Sequence, residues 1–317
     1  MIDEITIVNE DTSSSLLFNK IFGNPYILSK VDWGATTAEH TKYDNLTGAG
    51  VDIINTSLKE RTVAVTGYVC CTHTIKEIMR IYSVETMDKV VARKLEEIEA
   101  SKKAINELIN PLSMLKILAG DYYIEGKPLA SVKWSPDDKD NNEVLAKFTF
   151  SIDCPNPMFK QAKQVSTVLS GTEGMFHFPL VIKKNKGIQM GKKSQYQLIV
   201  LQNKSDVEIG GTITLKALAG VINPKITNVY TQEKMLINKT LVPNEIIKID
   251  TINRTIKGSV DNGATYSGYF KYWDFENDWM TFEAGNSLIG FSADGDTYKS
   301  LQVSISIEQE FYSVKEQ

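Results

Sequence analysis

The densest group of residues able to do chemistry is Tyr272-Trp273-Asp274-Phe275-Glu276-Asn277-Asp278-Trp279. Its carboxylates, Asp274, Glu276 and Asp278, stand at alternate positions and imitate the first half of a calcium loop. The imitation ends at the next position. A calcium loop needs glycine where Trp279 stands, and no glutamate follows at its twelfth position. Aromatic rings beside carboxylates also suit a sugar or a protein partner, while the plainer reading is packed aromatics with a solvated acidic edge. Trp273, Asp274, Glu276, Asp278 and Trp279 are therefore the candidate sugar- or partner-binding residues.

Nothing else gathers into a reactive set. His40, His73 and His177 are isolated, without a ligand at metal-binding spacing. The sequence has no nucleophile elbow, no P-loop and no dinucleotide-binding glycine pattern, so neither enzyme activity nor a cofactor is expected. Cys70 and Cys71 are adjacent in a strand-like run and point to opposite faces. With Cys154 they make an odd count with no disulfide framework, which predicts reduced thiols and assembly in a cytoplasm.

Composition narrows the class further. An apolar fraction of 42% in 317 residues suffices for two cores. Net charge is −4, and only Arg61, Arg80, Arg93 and Arg254 are arginines, a poor endowment for reading nucleic acid. No apolar run approaches the roughly 20 residues of a membrane span, and the acidic start Met1-Ile2-Asp3-Glu4 lacks a secretory signal pattern.

The elements that must position these residues fall into two halves. Ile5-Thr6-Ile7-Val8, Leu16-Leu17-Phe18 and 26–33 read as strands, followed by a polar stretch at 34–50 without a period, either functional or disordered. Residues 61–71 alternate as a strand, with Gly67 a possible bulge. Met87, Val90, Val91, Leu95, Ile98, Ile105 and Leu108 then recur at helical steps. They predict a helix over 86–109, capped by Ser83 or Thr86, about 36 Å long at about 1.5 Å per residue and stopped by Pro111. A hairpin is expected around Glu125-Gly126-Lys127-Pro128.

The strand at 144–154 places Ala146, Phe148, Phe150, Ile152 and Cys154 on one face. Pro155 and Pro157 then end its ladder. The stretch 110–159 thus closes a first domain at 1–160, mainly β with one long helix, an α+β unit. After a linker at 160–172, about ten short strands predict a β-sandwich at 161–317, among them 176–182 and 266–272. Asp261-Asn262-Gly263 and Asp294-Gly295 signal hairpins there.

The order of these features resembles a known family. It runs through Arg61-Thr62-Val63-Ala64-Val65-Thr66-Gly67-Tyr68-Val69, Leu108-Ile109-Asn110-Pro111-Leu112, Tyr122-Tyr123-Ile124-Glu125-Gly126 and Phe148-Thr149-Phe150-Ser151-Ile152-Asp153-Cys154-Pro155-Asn156-Pro157-Met158-Phe159. It ends with Asn223-Pro224-Lys225-Ile226-Thr227-Asn228, Ile249-Asp250-Thr251 and Glu283-Ala284-Gly285-Asn286-Ser287-Leu288-Ile289. Together they resemble the distal tail proteins (Dit) of siphophages that infect Gram-positive bacteria.

That resemblance implies a galectin-like C-terminal sandwich and a homohexameric ring at the virion tail tip. The ring would lie between the tail tube protein and the tail-associated fibre or lysin protein, and its sandwiches would hold a receptor-binding protein or touch a cell-wall saccharide. It supplies no catalytic residues. The ring-forming segments expected are 34–50, 61–71 and 86–109. Two other readings compete, a lectin-like module for cell-wall sugar and a cell-wall hydrolase. A galectin-type sugar site needs histidine and arginine on neighbouring strands, whereas the second half contains only His177 and Arg254.

Overall fold

A computed structural model describes residues 3–21, 23–44, 50–83, 86–137, 139, 144–168, 172–174, 191–193 and 198–314. The expected strand at 176–182, and His177 within it, lie outside these residues. The chain is mainly β and divides into two compact units. One comprises Met1–Ala162 with Tyr312–Gln317, the other Lys163–Phe311. The chain therefore passes from one unit to the other at two places, near 162 and near 311.

In the first unit the strands are β1 (Glu4–Asn9), β2 (Ser14–Asn19), β3 (Tyr26–Asp32), β4 (Ala38–Asp44), β5 (Val51–Leu58) and β6 (Arg61–Cys70). Helices α1 (Ile75–Ile81) and α2 (Met87–Leu108) follow. Then come β7 (Leu115–Ala119), β8 (Tyr122–Pro128), β9 (Lys133–Trp134), β10 (Leu145–Cys154) and β11 (Phe159–Gln161). One sheet runs β11-β8-β7-β1-β2-β3-β6-β10-β9, and a further β8–β10 pairing closes the circuit from β8 round to β10.

Alternation decides what this sheet buries. Arg61, Val63, Val65, Gly67 and Val69 of β6 face inward, opposite Cys154, Ile152, Phe150, Phe148 and Ala146 of β10. α2 adds Ile98, Ile105 and Leu108 to the same core. Each such aliphatic or aromatic side chain stabilises by about 1.5–3 kcal/mol when fully buried.

Several sequence expectations are corrected here. The 34–50 stretch is no simple loop, because Ala38–Asp44 within it form β4, which pairs with β5 in a two-stranded sheet. Gly67 is not a bulge; it pairs in register with Phe148. It is glycine because a Cβ there would sit 2.6 Å from the Phe148 ring and 2.6 Å from the Ile27 carbonyl oxygen. The irregularity lies instead in β3, between Leu28 and Lys30.

Glu125-Gly126-Lys127-Pro128 is not a turn but the end of β8. The hairpin is β7–β8, turning at Gly120, whose φ of +60° suits glycine. Thr86 stands at the start of α2 but makes no capping bond, and Ser83 lies in the turn before it. The capping box belongs to α1, where the Thr74 hydroxyl accepts from the Glu77 amide and the Glu77 carboxylate accepts from the Thr74 amide. On α2, Met87 and Leu95 are exposed despite their place in the apolar stripe.

In the second unit, a six-stranded sheet runs Val165–Val168, Leu301–Ile307, Gly211–Ala217, Ile246–Asp250, Thr255–Ser259 and Ser267–Gly268. A four-stranded sheet runs Leu198–Asn203, Gly285–Ser292, Lys225–Asn228 and Lys234–Leu236. Ile213, Leu215, Ile247, Ile249, Val303 and Ile305 of the first sheet share one core with Leu201, Ile226, Met235 and Ile289 of the second. That is a β-sandwich.

The 160–172 segment is not a free linker, since Val165–Val168 pairs with Leu301–Ile307. Asp294-Gly295 is not a hairpin turn either. It opens the 3-10 turn Gly295–Ser300, which carries the chain from the four-stranded sheet to the six-stranded one. Likewise 266–272 is only the short strand Ser267–Gly268 followed by the 3-10 turn Phe270–Tyr272.

Candidate functional site

The aromatic–acidic segment rides on the strand Lys234–Leu236. Asn277 bonds that strand through both ends of its amide, accepting from the Leu236 N–H at 2.9 Å and donating to the Leu236 carbonyl at 2.7 Å. The Asp278 N–H donates to the Lys234 carbonyl at 3.2 Å. Asp274 accepts from the Glu276 N–H at 3.0 Å and from Asn238 Nδ2 at 3.2 Å. These bonds, the backbone one foremost, hold its carboxyl below the ordinary carboxylate range. Glu276 pairs with Lys234 at 3.4 Å.

These contacts disperse the three carboxylates. Among the described residues no group of three His, Cys, Asp or Glu side chains is placed to hold a metal. Trp273 and Trp279 do come together, stacked at 4.5 Å and 20°. Trp273 is buried in the sandwich core, and Trp279 is partly buried against it. Phe270 stacks on Trp279 at 6.4 Å. Phe275, which the sequence reading passed over, stands 90% exposed on a turn held by the bonds just described. The surface on offer is thus Phe275, Phe270 and the free part of Trp279, edged by Glu276 and Asp278.

Beneath this segment lies an ion pair. Glu245 is fully buried; its Oε1 accepts from Lys239 Nζ at 2.6 Å and its Oε2 from the Val242 N–H at 2.9 Å. Lys239 also lies 5.4 Å from the ring centres of Tyr269 and Tyr272. Burial first, and then the bond to Glu245, push the Tyr269 phenol up to about 12.

Three further features of the first unit stand out. Among the described residues the β4–β5 hairpin pairs with no third strand, and every residue of β5 is exposed, including Val51, Ile53, Ile54 and Leu58. Next, Arg61 is 2% exposed, on the inward face of β6. Its Nη2 donates to Thr36 Oγ1 and, at 2.7 Å, to the Tyr312 carbonyl, and its guanidinium lies 4.7 Å over the Phe159 ring. A cavity of about 380 Å³ opens beside it, walled by Trp33, Phe159 and Tyr312.

Third, the thiols are tuned away from reactivity. Burial pushes Cys154 up to about 12. Burial and a 2.8 Å bond to Glu97 push Cys71 to about 11. Neither thiol is a ready nucleophile. His73, isolated in sequence, meets Glu97 at 3.0 Å, and His40 meets Thr56 across the β4–β5 hairpin at 2.9 Å. Among the described residues no helix is long and apolar enough to cross a membrane.

Residues 204–304 match the family model of the siphovirus-type tail component, C-terminal domain. The chain superposes on the crystal structure of the SPP1 Dit protein, described as a hub of the adsorption apparatus in phages that infect Gram-positive bacteria. The TM-score is 0.60 at 11% identity, covering 97% of this chain and 99% of that one. A chain of the phage P2 baseplate in its activated conformation with calcium matches at a TM-score of 0.45 and 13% identity, covering 96% of this chain and 98% of that one. No curated protein matches the sequence.

Proposed function

We propose that this chain, which has the fold of a siphophage distal tail protein and its family's tail-component domain at 204–304, is a structural protein at the tip of a long non-contractile phage tail. Copies of it close into a homohexameric ring. The ring joins the tail tube protein to the tail-associated fibre or lysin protein and carries the receptor-binding protein during host attachment. It performs no chemistry itself.

The β4–β5 hairpin is the observation that carries the assembly reading. Two strands alone are marginally stable in water, and this pair leaves Ile53 and Ile54 more than half exposed with no third strand beside them among the described residues. A neighbouring copy is the natural cover, because a ring needs a heterologous contact that repeats until it closes. Native mass spectrometry and negative-stain microscopy of the purified chain test this. A ring is expected, and Ile53→Asp/Ile54→Asp is expected to yield folded monomers. A wild-type chain that stays monomeric at high concentration and shows no ring would sink the reading.

The exposed Phe275 and the stacked Phe270 and Trp279 support a second role, a contact for the receptor-binding protein or for a cell-wall saccharide. Asp274, Glu276 and Asp278 form its acidic edge, and Trp273 supports it from the core. A glycan array of the full chain separates the two partners. A sugar signal lost in Trp279→Ala assigns the saccharide, and a blank array leaves the protein partner.

A further inference from the structure

We infer that the cavity beside Arg61 is a binding site for a carboxylate borne on an aromatic or apolar group. Arg61 occupies a position that the alternation of β6 reserves for the core, in line with Val63, Val65 and Val69. A charge in such a place is expected to be paired, because an isolated buried ion is expensive. Here its acceptors among the described residues are neutral. The two Nη2 bonds go to a hydroxyl and a backbone carbonyl, Nε is buried with no acceptor, and among the described residues Arg61 forms no ion pair. Cys154, directly across the ladder, offers no counter-charge, since burial keeps its thiol protonated.

The hydrogen bonds hold the guanidinium in place without neutralising it. Burial already depresses its basicity. Among the described residues no anion meets it, and the guanidinium fork matches a carboxylate better than any other common group. The walls specify the rest of the ligand. Trp33, Phe159 and Tyr312 enclose about 380 Å³, ample room for one ring-sized group beside the charge. A lone cation between aromatic walls favours a monoanion over a phosphate dianion.

Calorimetric titration of the full chain with sodium phenylacetate tests the site, with neutral phenylacetamide as its uncharged counterpart. One phenylacetate per chain is expected, with phenylacetamide weaker by about tenfold or more. Arg61→Met is expected to abolish phenylacetate binding. Should that variant not fold, Arg61→Lys, which keeps the charge but loses the fork, is expected to weaken it. The inference is overturned if wild type does not bind phenylacetate, if acid and amide bind equally, or if a folded Arg61 variant binds as wild type does. Sedimentation of wild type saturated with phenylacetate then identifies the source of the natural carboxylate. Loss of assembly assigns it to a side chain of a neighbouring copy, and unchanged assembly assigns it to a free acid.

Discussion

Lys239→Met removes one ammonium from beside Tyr269 and Tyr272 and little else. The methionine keeps an aliphatic stem against Tyr269 and Tyr272, which flank Lys239 in the wild type. What it leaves behind is Glu245, a carboxylate with no exposed surface, still bonded to the Val242 amide and to the Tyr269 hydroxyl. Stripping one partner from a buried ion pair costs about 3–5 kcal/mol. A domain of this size holds about 5–15 kcal/mol in all. At about 2–4 °C per kcal/mol, the second unit should melt about 6–20 °C lower.

Urea denaturation followed by the fluorescence of Trp273 and Trp279 reads this out. The background is one in which Trp33 and Trp134, both in the first unit, are phenylalanine. The midpoint should fall at unchanged slope. Lys239→Met/Glu245→Gln, which removes the charge but keeps an acceptor for Val242 and Tyr269, should recover about 2 kcal/mol or more of the loss. A cost below about 1 kcal/mol for Lys239→Met, or a double variant as unstable as the single, would refute the claim that an uncompensated charge is the cause.

Other expected outcomes follow from the same structure. Gly258→Ala places a Cβ 2.1 Å from the Tyr269 ring, so the ring must move; overpacking of this kind costs about 1–3 kcal/mol, measurable in the same denaturation assay. At neutral pH an aromatic disulfide reagent should label Cys154 only at the rate of unfolding and Cys71 slowly, with all three thiols reacting in denaturant; immediate labelling of native Cys154 would contradict its burial. Bonds from Ser259, first, and from Thr265 hold the Asp261 carboxyl far below its ordinary range. Its contribution is therefore present above the unfolded-state value and lost as pH falls through the folded one. Asp261→Ala should lower stability at pH 7 and narrow the gap to wild type as the solution is acidified; a gap that stays constant would remove Asp261 from the account.

Much of the architecture was legible because one-sided burial leaves a period. β6 and β10 alternate residue by residue, and their buried faces are the ones the alternation marks. α2 shows its stripe for the same reason. The β4–β5 hairpin was illegible because it lies exposed on both faces; with no inward side there is no contrast between odd and even positions. Asn9 was missed as well. Its side chain donates to the Leu108 carbonyl at the end of α2 and accepts from the amides of Asp11 and Thr12, joining elements 99 residues apart. No local pattern encodes such a partner.

Two of the quoted family motifs carry turn-holding side chains. Asn228 accepts the amides of Tyr230 and Thr231, and Asp250 those of Ile252 and Asn253. In the aromatic–acidic segment composition was visible but direction was not: Trp273 turned inward and Phe275 outward. Arg61 was readable in principle, because its odd position puts it on the same face as Val63 and Val65.

The double passage of the chain between its units has a mechanical consequence. Because Tyr312–Gln317 return to the first unit, the sandwich is spliced into its host as a cassette with both ends fastened, not hung as a pendant from one thread. A protease cutting near residue 162 leaves it attached through the other splice, whose far side is gripped by Arg61 at the Tyr312 carbonyl. A pulling force applied to the sandwich is shared by two covalent strands.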